Sequence, residues 1–373
     1  MFVQTLRGHH GSALSHVRSG VKILSEVHTN EHCPCSSSVL SLSTYPYVGL
    51  PTLELFFSRL DSQIAQVNFL VLSTCQQKLL DLPRSRRMLT RTQMLGTRPM
   101  LLQTKPSDKV PGFCAEVPAI FSSLEEARNS MDYQWNKCVH LLGDIEQYNT
   151  YAKIVPVKPH LDANQQAFSI VVRKWLVAFQ ALLQKDGKSF DHKSLQAART
   201  LQINQIFMMI YNRMSIFDVL IDETVWDRFL SCFKQILDFC SLIVESTACD
   251  HISQKPGPEF CLDMNIVAPL YAVAHRCRDP AVRRKAISLL YNSPRQEGIW
   301  DSILTARVAE RLMGIEEEGL GIVTCAADIP DWARITDVNV KFDFQGRLGT
   351  VSYSSKRSRV DTVREMVTET IGW

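Results

Sequence analysis

The chain has 373 residues, 45% apolar and 21% charged, with a formal net charge of +3. These proportions belong to a globular protein with room for one large domain or two ordinary ones. So small a charge excludes a global electrostatic case for nucleic acid or an anionic membrane, and no stretch reads as a membrane span or signal peptide.

Taken in order, Leu14, Val17, Val21 and Leu24 predict a short amphipathic helix. A chain that opens inside a helical pattern fits a domain lacking a former N-terminal partner. Residues His28 to Tyr47 are rich in Ser, Thr and Pro and read as a loop. A second helix starts at Pro51, with Leu53, Phe56, Phe57, Leu60, Ile64 and Val67 facing inward. Arg84 to Pro118 reads as a long loop, of a kind that is mobile or functional. Ser122 and Ser123, each followed three residues on by a glutamate, form a capping-box sequence that opens a helix carrying Leu124, Ala127, Met131, Trp135 and Val139.

Leu161 to Lys185 repeats the helical period, with Phe168, Val172, Trp175, Phe179 and Leu182 as its buried stripe. Leu195 to Met214 and Val225 to Val244 follow, the latter with Phe229, Phe233, Ile236, Leu237 and Cys240 inward. His275 to Glu318 predicts two helices around a Pro- and Gly-marked corner. Asp279 caps the first helix, Pro280 sits at its first position, and Val282, Ala286, Leu289 and Leu290 form its inner face. The second starts near Gly298 and buries Trp300, Ile303, Leu304, Val308, Leu312 and Ile315. Beyond it the period changes to two over Asp337 to Phe344, with a return over Leu348 to Tyr353, which predicts a β-hairpin. Thr362 to Ile371 reads as a terminal helix.

The expected fold is therefore all-α: stacked antiparallel helical hairpins, solenoid-like, with a small C-terminal β-hairpin. The expected parts are an N-terminal helical part (1–83), a linker (84–118), a helical regulatory core (119–330), and a hairpin with a terminal helix (331–373). No internal sequence period proves a repeat.

One block is specific. Cys277-Arg278-Asp279-Pro280, then Arg283-Arg284-Lys285-Ala286, Leu289-Leu290, and Pro294-Arg295-Gln296-Glu297-Gly298-Ile299-Trp300-Asp301 resemble the C-terminal regulatory region of fungal zinc-cluster transcription factors. The resemblance implies a nuclear protein acting on RNA polymerase II genes, often those of metabolic or secondary-metabolite pathways. In that family a separate six-cysteine binuclear zinc cluster binds DNA. The eleven cysteines here include no Cys-x-x-Cys pair, the spacing that places two thiolates on one metal. No cofactor is therefore expected in this chain, and zinc only with an upstream cluster. Its absence puts direct DNA binding in doubt. The expected partners are other transcription regulators or a related full-length factor, with no membrane and with a homodimer as one option. The mechanism would be protein contact or ligand sensing through the helical body. A free-standing helical scaffold, or an inhibitory partner of a zinc-cluster factor, is the alternative.

Several clusters invite a sharper reading. His28, His32, Cys33 and Cys35 are ligand-type residues within eight positions, but Cys-x-Cys suits one tetrahedral zinc poorly, and a Ser/Pro-rich loop explains them as well. Arg84, Arg86, Arg87 and Arg91 form the densest basic run. It reads as an import signal, a phosphate-contacting patch, or simply a solvated loop. Lys356, Arg357 and Arg359 pose the same question. Arg283, Arg284, Lys285 and Arg295 suggest an anion-binding or DNA-backbone surface, although Glu297, Asp301 and Glu316 to Glu318 lie close enough in sequence to pair with them. Glu316 to Glu318 also sit at a helix C-terminus, where the dipole disfavours negative charge. No nucleophile elbow, phosphate-binding loop or His-Glu-x-x-His is present, so no enzymatic activity is expected.

Overall fold

The structure is a computed structural model that describes residues 116–146, 158–213, 223–250 and 259–372, apart from 262, 264, 299, 344–347, 357–360, 362 and 363. It also describes 15–16, 19–20, 22–24, 47–53, 56–57 and 60. The expected linker up to residue 115, the His28 to Cys35 cluster and the basic run Arg84 to Arg91 lie outside the described residues.

The described protein is mostly helical with a small C-terminal sheet. In the N-terminal part, helical residues occur near 15–24 and 50–60. They come close at Gly20, where a Cβ would lie 2.2 Å from the Phe57 ring. The main body runs α1 (Leu124–Glu146), α2 (Lys158–Asp186), α3 (His192–Arg213), a 3-10 helix (Glu223–Phe229), α4 (Leu230–Asp250), β1 (Glu259–Cys261), α5 (Val267–Arg276), α6 (Pro280–Asn292), β2 (Arg295–Glu297), β3 (Trp300–Asp301) and α7 (Ser302–Glu317). Strands β4 (Thr336–Asp343), β5 (Leu348–Ser355) and β6 (Glu365–Gly372) complete it.

Local chemistry sets the helix starts. Ser123 Oγ accepts from Glu126 N at 3.1 Å, while the Glu126 carboxylate reaches back to Ser122 N at 2.6 Å, so the expected cap opens α1. Asp279 accepts from Val282 N at 3.0 Å ahead of Pro280, and Asp301 accepts from Leu304 N at 2.9 Å. Each such cap contributes on the order of 1 kcal/mol.

Trp175 anchors the first half of the core. Its ring stacks on Phe179 at 4.7 Å and lies 5.7 Å from Phe121, and its Nε1 donates to Ala127 O at 3.1 Å, tying α2 to α1. The segment Gln165–Ser189, most of it in α2, does reach the length and hydropathy of a membrane span, contrary to the sequence expectation. Yet Phe168, Val172, Trp175, Phe179 and Leu182 pack inside, as their spacing predicts. The second half of the core is built on α5, which is buried along its whole length and packs against α4, α6 and α7.

Three expectations change. The second helix of the His275 to Glu318 block starts at Ser302, not near Gly298. Gly298, at φ 55°, turns the chain between β2 and β3, and its N–H donates to Cys261 O at 2.8 Å. Glycine fits because positive φ carries no Cβ penalty there. Trp300 accordingly lies on β3, part-buried, its ring 5.5 Å from Tyr271, and not on a helical stripe. The strands β1-β2-β3 form a small sheet, β1 parallel and β3 antiparallel to β2.

Second, residues 225–229 belong to the 3-10 helix and not to α4, and the Glu223 carbonyl is drawn instead to Arg334 Nη1 at 3.1 Å. Third, the expected terminal helix is strand β6, antiparallel to β5 with Leu348 opposite Gly372 and Ser355 opposite Glu365. Val367, Thr368, Thr370 and Ile371 are β-branched, and their side chains suit a pleated surface better than a helix. The hairpin is thus a three-stranded meander. Ile335, Val338, Val351 and Tyr353 place its inner face in the same core as the helices.

Candidate functional site

The specific sequence block folds into a buried ionic lattice where α5, α6, α7, the 3-10 helix and the start of β4 meet. Arg278, with no exposed surface, donates from Nη2 to Glu316 Oε1 at 2.8 Å, lies 3.3 Å from Glu223 Oε2, and donates from Nη1 to Arg276 O at 3.0 Å. Arg276 reaches both Glu223 oxygens at 3.2 Å while its guanidinium covers the Trp226 ring at 4.7 Å. Arg283 donates from Nε to Ala274 O at 2.9 Å and pairs through Nη1 with Glu316 Oε2 at 2.8 Å. Glu316 also accepts from Ile335 N at 3.0 Å, which joins the helices to the sheet.

Arg334 extends the lattice. It makes a bidentate pair with Asp227 at 2.8 and 2.7 Å and donates to Ile329 O at 2.8 Å and Ala326 O at 3.0 Å, besides Glu223 O. Arg364 donates to Arg334 O and, at 3.0 Å, to Asp331 O. Asp331 in turn pairs with Lys356 at 3.4 Å.

Burial pushes the Glu316 carboxyl up, but the Arg278 and Arg283 guanidinia and the Ile335 N–H outweigh it and hold it below the usual glutamate range. Burial likewise works against the Arg278 cation, and Glu316 and Glu223 more than offset it, raising its pKa. Arg283 is lowered by burial, with Arg278 beside it as a like charge.

A second buried device stands at the other end of α5. Glu297 accepts from the N–H groups of Asn265 at 2.8 Å, Ile266 at 2.9 Å and Val267 at 3.0 Å. Strand β2 thus supplies the cap that Ile266 cannot, because an isoleucine at that position has no side-chain oxygen to offer. Burial raises the Glu297 carboxyl against these bonds and against Arg295, whose Nη1 is 3.7 Å away.

The expected basic surface is divided by this arrangement. Arg283 and Arg295 are buried, whereas Arg284 and Lys285 face solvent, Arg284 pairing with Glu317. Arg283 turns inward because it lies three and four positions before Ala286 and Ile287, which share its face, and α6 is packed by α4, α5 and α7 together. Glu223, Asp227, Arg276, Arg334 and the buried role of Glu316 were not singled out from sequence. For Glu316 the sequence offered two signs of a partner, its misfit with the helix dipole and its nearness to Arg283, with which it pairs. Among the described residues, no group of three or more His, Cys, Asp or Glu side chains could hold a metal ion. Most lattice donors and acceptors are spent on one another, which suits it to fixing the packing of five elements.

The comparisons with known proteins bear on what this body serves. The chain is 41% identical over 105 residues to the aspercryptin biosynthesis cluster-specific transcription regulator atnN of Emericella nidulans, a match covering 27% of this chain and 17% of that protein. No family model matches the chain, and no solved structure matches it.

Proposed function

We propose that this chain is a helical regulatory body of a fungal pathway-specific transcription regulator, working in the nucleus on RNA polymerase II genes of a secondary-metabolite pathway. The observation that carries the reading is the 41% identity to a cluster-specific transcription regulator. The specific block quoted above points the same way. The mechanism proposed is protein contact with other transcription regulators or a related factor, through a body of stacked helices. Two features support contact over chemistry: no catalytic constellation is legible in the sequence, and α2 leaves Ile170 and Val177 half or more exposed beside its buried stripe. The buried lattice then serves to hold one geometry of α5, α6, α7 and the sheet, so that surfaces on these elements are presented together.

A tethering assay tests this reading. The full chain fused to an unrelated DNA-binding module, expressed in a filamentous fungus, is expected to change transcription of a reporter carrying that module's sites several-fold in either direction. A reporter that responds no more than to the module alone, with the fusion protein present in nuclei, contradicts it.

A further inference from the structure

His275 stands apart from the lattice that surrounds it. Its side chain is 2% exposed, and neither ring nitrogen has a hydrogen-bond partner. Its ring stacks on Tyr271 one turn earlier, at 5.7 Å and 10°. The guanidinium of Arg283 is fixed at the carbonyl of the preceding residue, Ala274, while Arg276 and Arg278 follow on the chain.

Arg276 lies on α5 and Arg278 in the link. Arg283 lies on α6, Glu316 on α7 and Glu223 on the 3-10 helix. Asp301 on β3 is spent capping α7. Arg295 and Glu297 on β2, with Cys240 on α4, lie towards the N-terminal end of α5, which a helix of this length puts roughly 13 Å from His275. The two nearer carboxylates are taken, Glu223 by Arg276 and Arg278, and Glu316 by Arg278, Arg283 and Ile335 N. Neither carboxylate is free for an imidazolium, and Arg276, Arg278 and Arg283 oppose one.

We propose that His275 is an acid-sensitive trigger built into this core: taking up a proton there breaks the packing of α5 against α6 and α7 and so disassembles the body that the ionic lattice holds. The position in the last turn of α5 favours a cation through the helix dipole. Full burial, together with Arg276, Arg278 and Arg283, outweighs that and holds the imidazole well below its ordinary 6.5.

The sign follows from linkage. The folded state binds the proton less readily than the unfolded chain, so the stabilising contribution is complete above the unfolded value of 6.5 and is lost as pH falls below it. Each pH unit in that range multiplies the unfolding constant about tenfold for this one proton.

The test compares the wild-type chain with His275→Phe, which keeps an aromatic ring against Tyr271. Denaturant unfolding is followed at about pH 7.5 and about pH 5.5, where the wild-type unfolding constant is expected to rise about tenfold more than that of the variant. Equal pH dependence of the two proteins overturns the proposal. Should the phenylalanine variant fail to fold, the wild-type imidazole is followed by NMR. A His275 resonance that stays neutral while the protein remains folded, with α5 amides losing exchange protection before those of α2 on acidification, upholds it. A His275 ring that titrates near 6.5 in the folded protein overturns it.

Discussion

Glu316→Ala is expected to cost about 3–5 kcal/mol of folding stability, measured by denaturant unfolding near neutral pH. The substitution removes the carboxylate that pairs with both Arg278 and Arg283, two side chains without exposed surface, and it strands the Ile335 N–H. The size of the effect comes from that uncompensated burial and not from the net worth of the pair, since a complete buried ion pair only roughly balances its own desolvation. The surface pair Arg284–Glu317 supplies the internal contrast. Arg284 is half exposed, so Arg284→Ala is expected to change stability by only about 0–1 kcal/mol. A Glu316 variant as mild as the Arg284 one would remove the lattice from the account of the fold. Linkage sets the acid limit of the same contribution. Because the Glu316 carboxyl is held below its ordinary value, its stabilisation is present above the unfolded glutamate pKa and is lost as pH drops through the lower folded one.

Arg334→Met is the second large effect, expected at about 1–3 kcal/mol, because buried carbonyls lose their donor while the part-exposed Asp227 can turn to solvent. Methionine fills the space of the side-chain stem but leaves Asp227 and the Ile329, Ala326 and Glu223 carbonyls without their donor. These groups belong to the 3-10 helix and the segment before β4, so the loss falls on the docking of the sheet. Hydrogen exchange should therefore show β4 and β5 deprotected before α2 and α3. Uniform loss of protection across sheet and helices would mean that Arg334 serves the whole core and not this junction.

The parts of the fold legible in the sequence are those written in long periods. The stripe Phe168, Val172, Trp175, Phe179 and Leu182 is buried as read, and the Asp279 cap and the serine cap lie where their spacing puts them. Strands β2 and β3 escaped because two or three residues cannot display a period of two. Strand β6 was misread because Met366-Val367-Thr368-Glu369-Thr370-Ile371 satisfies a loose helical pattern, and only its content of β-branched residues argues otherwise. The division of the arginines was the least readable feature. Arg283 and Arg284 are neighbours of one type, and which of them turns inward depends on α4, α5 and α7 closing over one side of α6. Glu297 likewise gains its role only when β2 is brought to the N-terminus of α5, some thirty residues back along the chain.

A link between block and function ties these results together. Within the block that resembles a regulator's signature, Arg278 and Arg283 enter the lattice and Glu297 caps α5, whereas Glu223, Glu316 and Arg334 join the lattice from outside it. Transcript profiling after deletion of the gene for this chain tests the central claim most directly. The account predicts that transcripts of a contiguous group of biosynthetic genes change together, and that the Glu316→Ala chain fails to restore them where the wild-type chain succeeds. Unchanged transcripts across the genome, with the wild-type protein present in the parent strain, would contradict it.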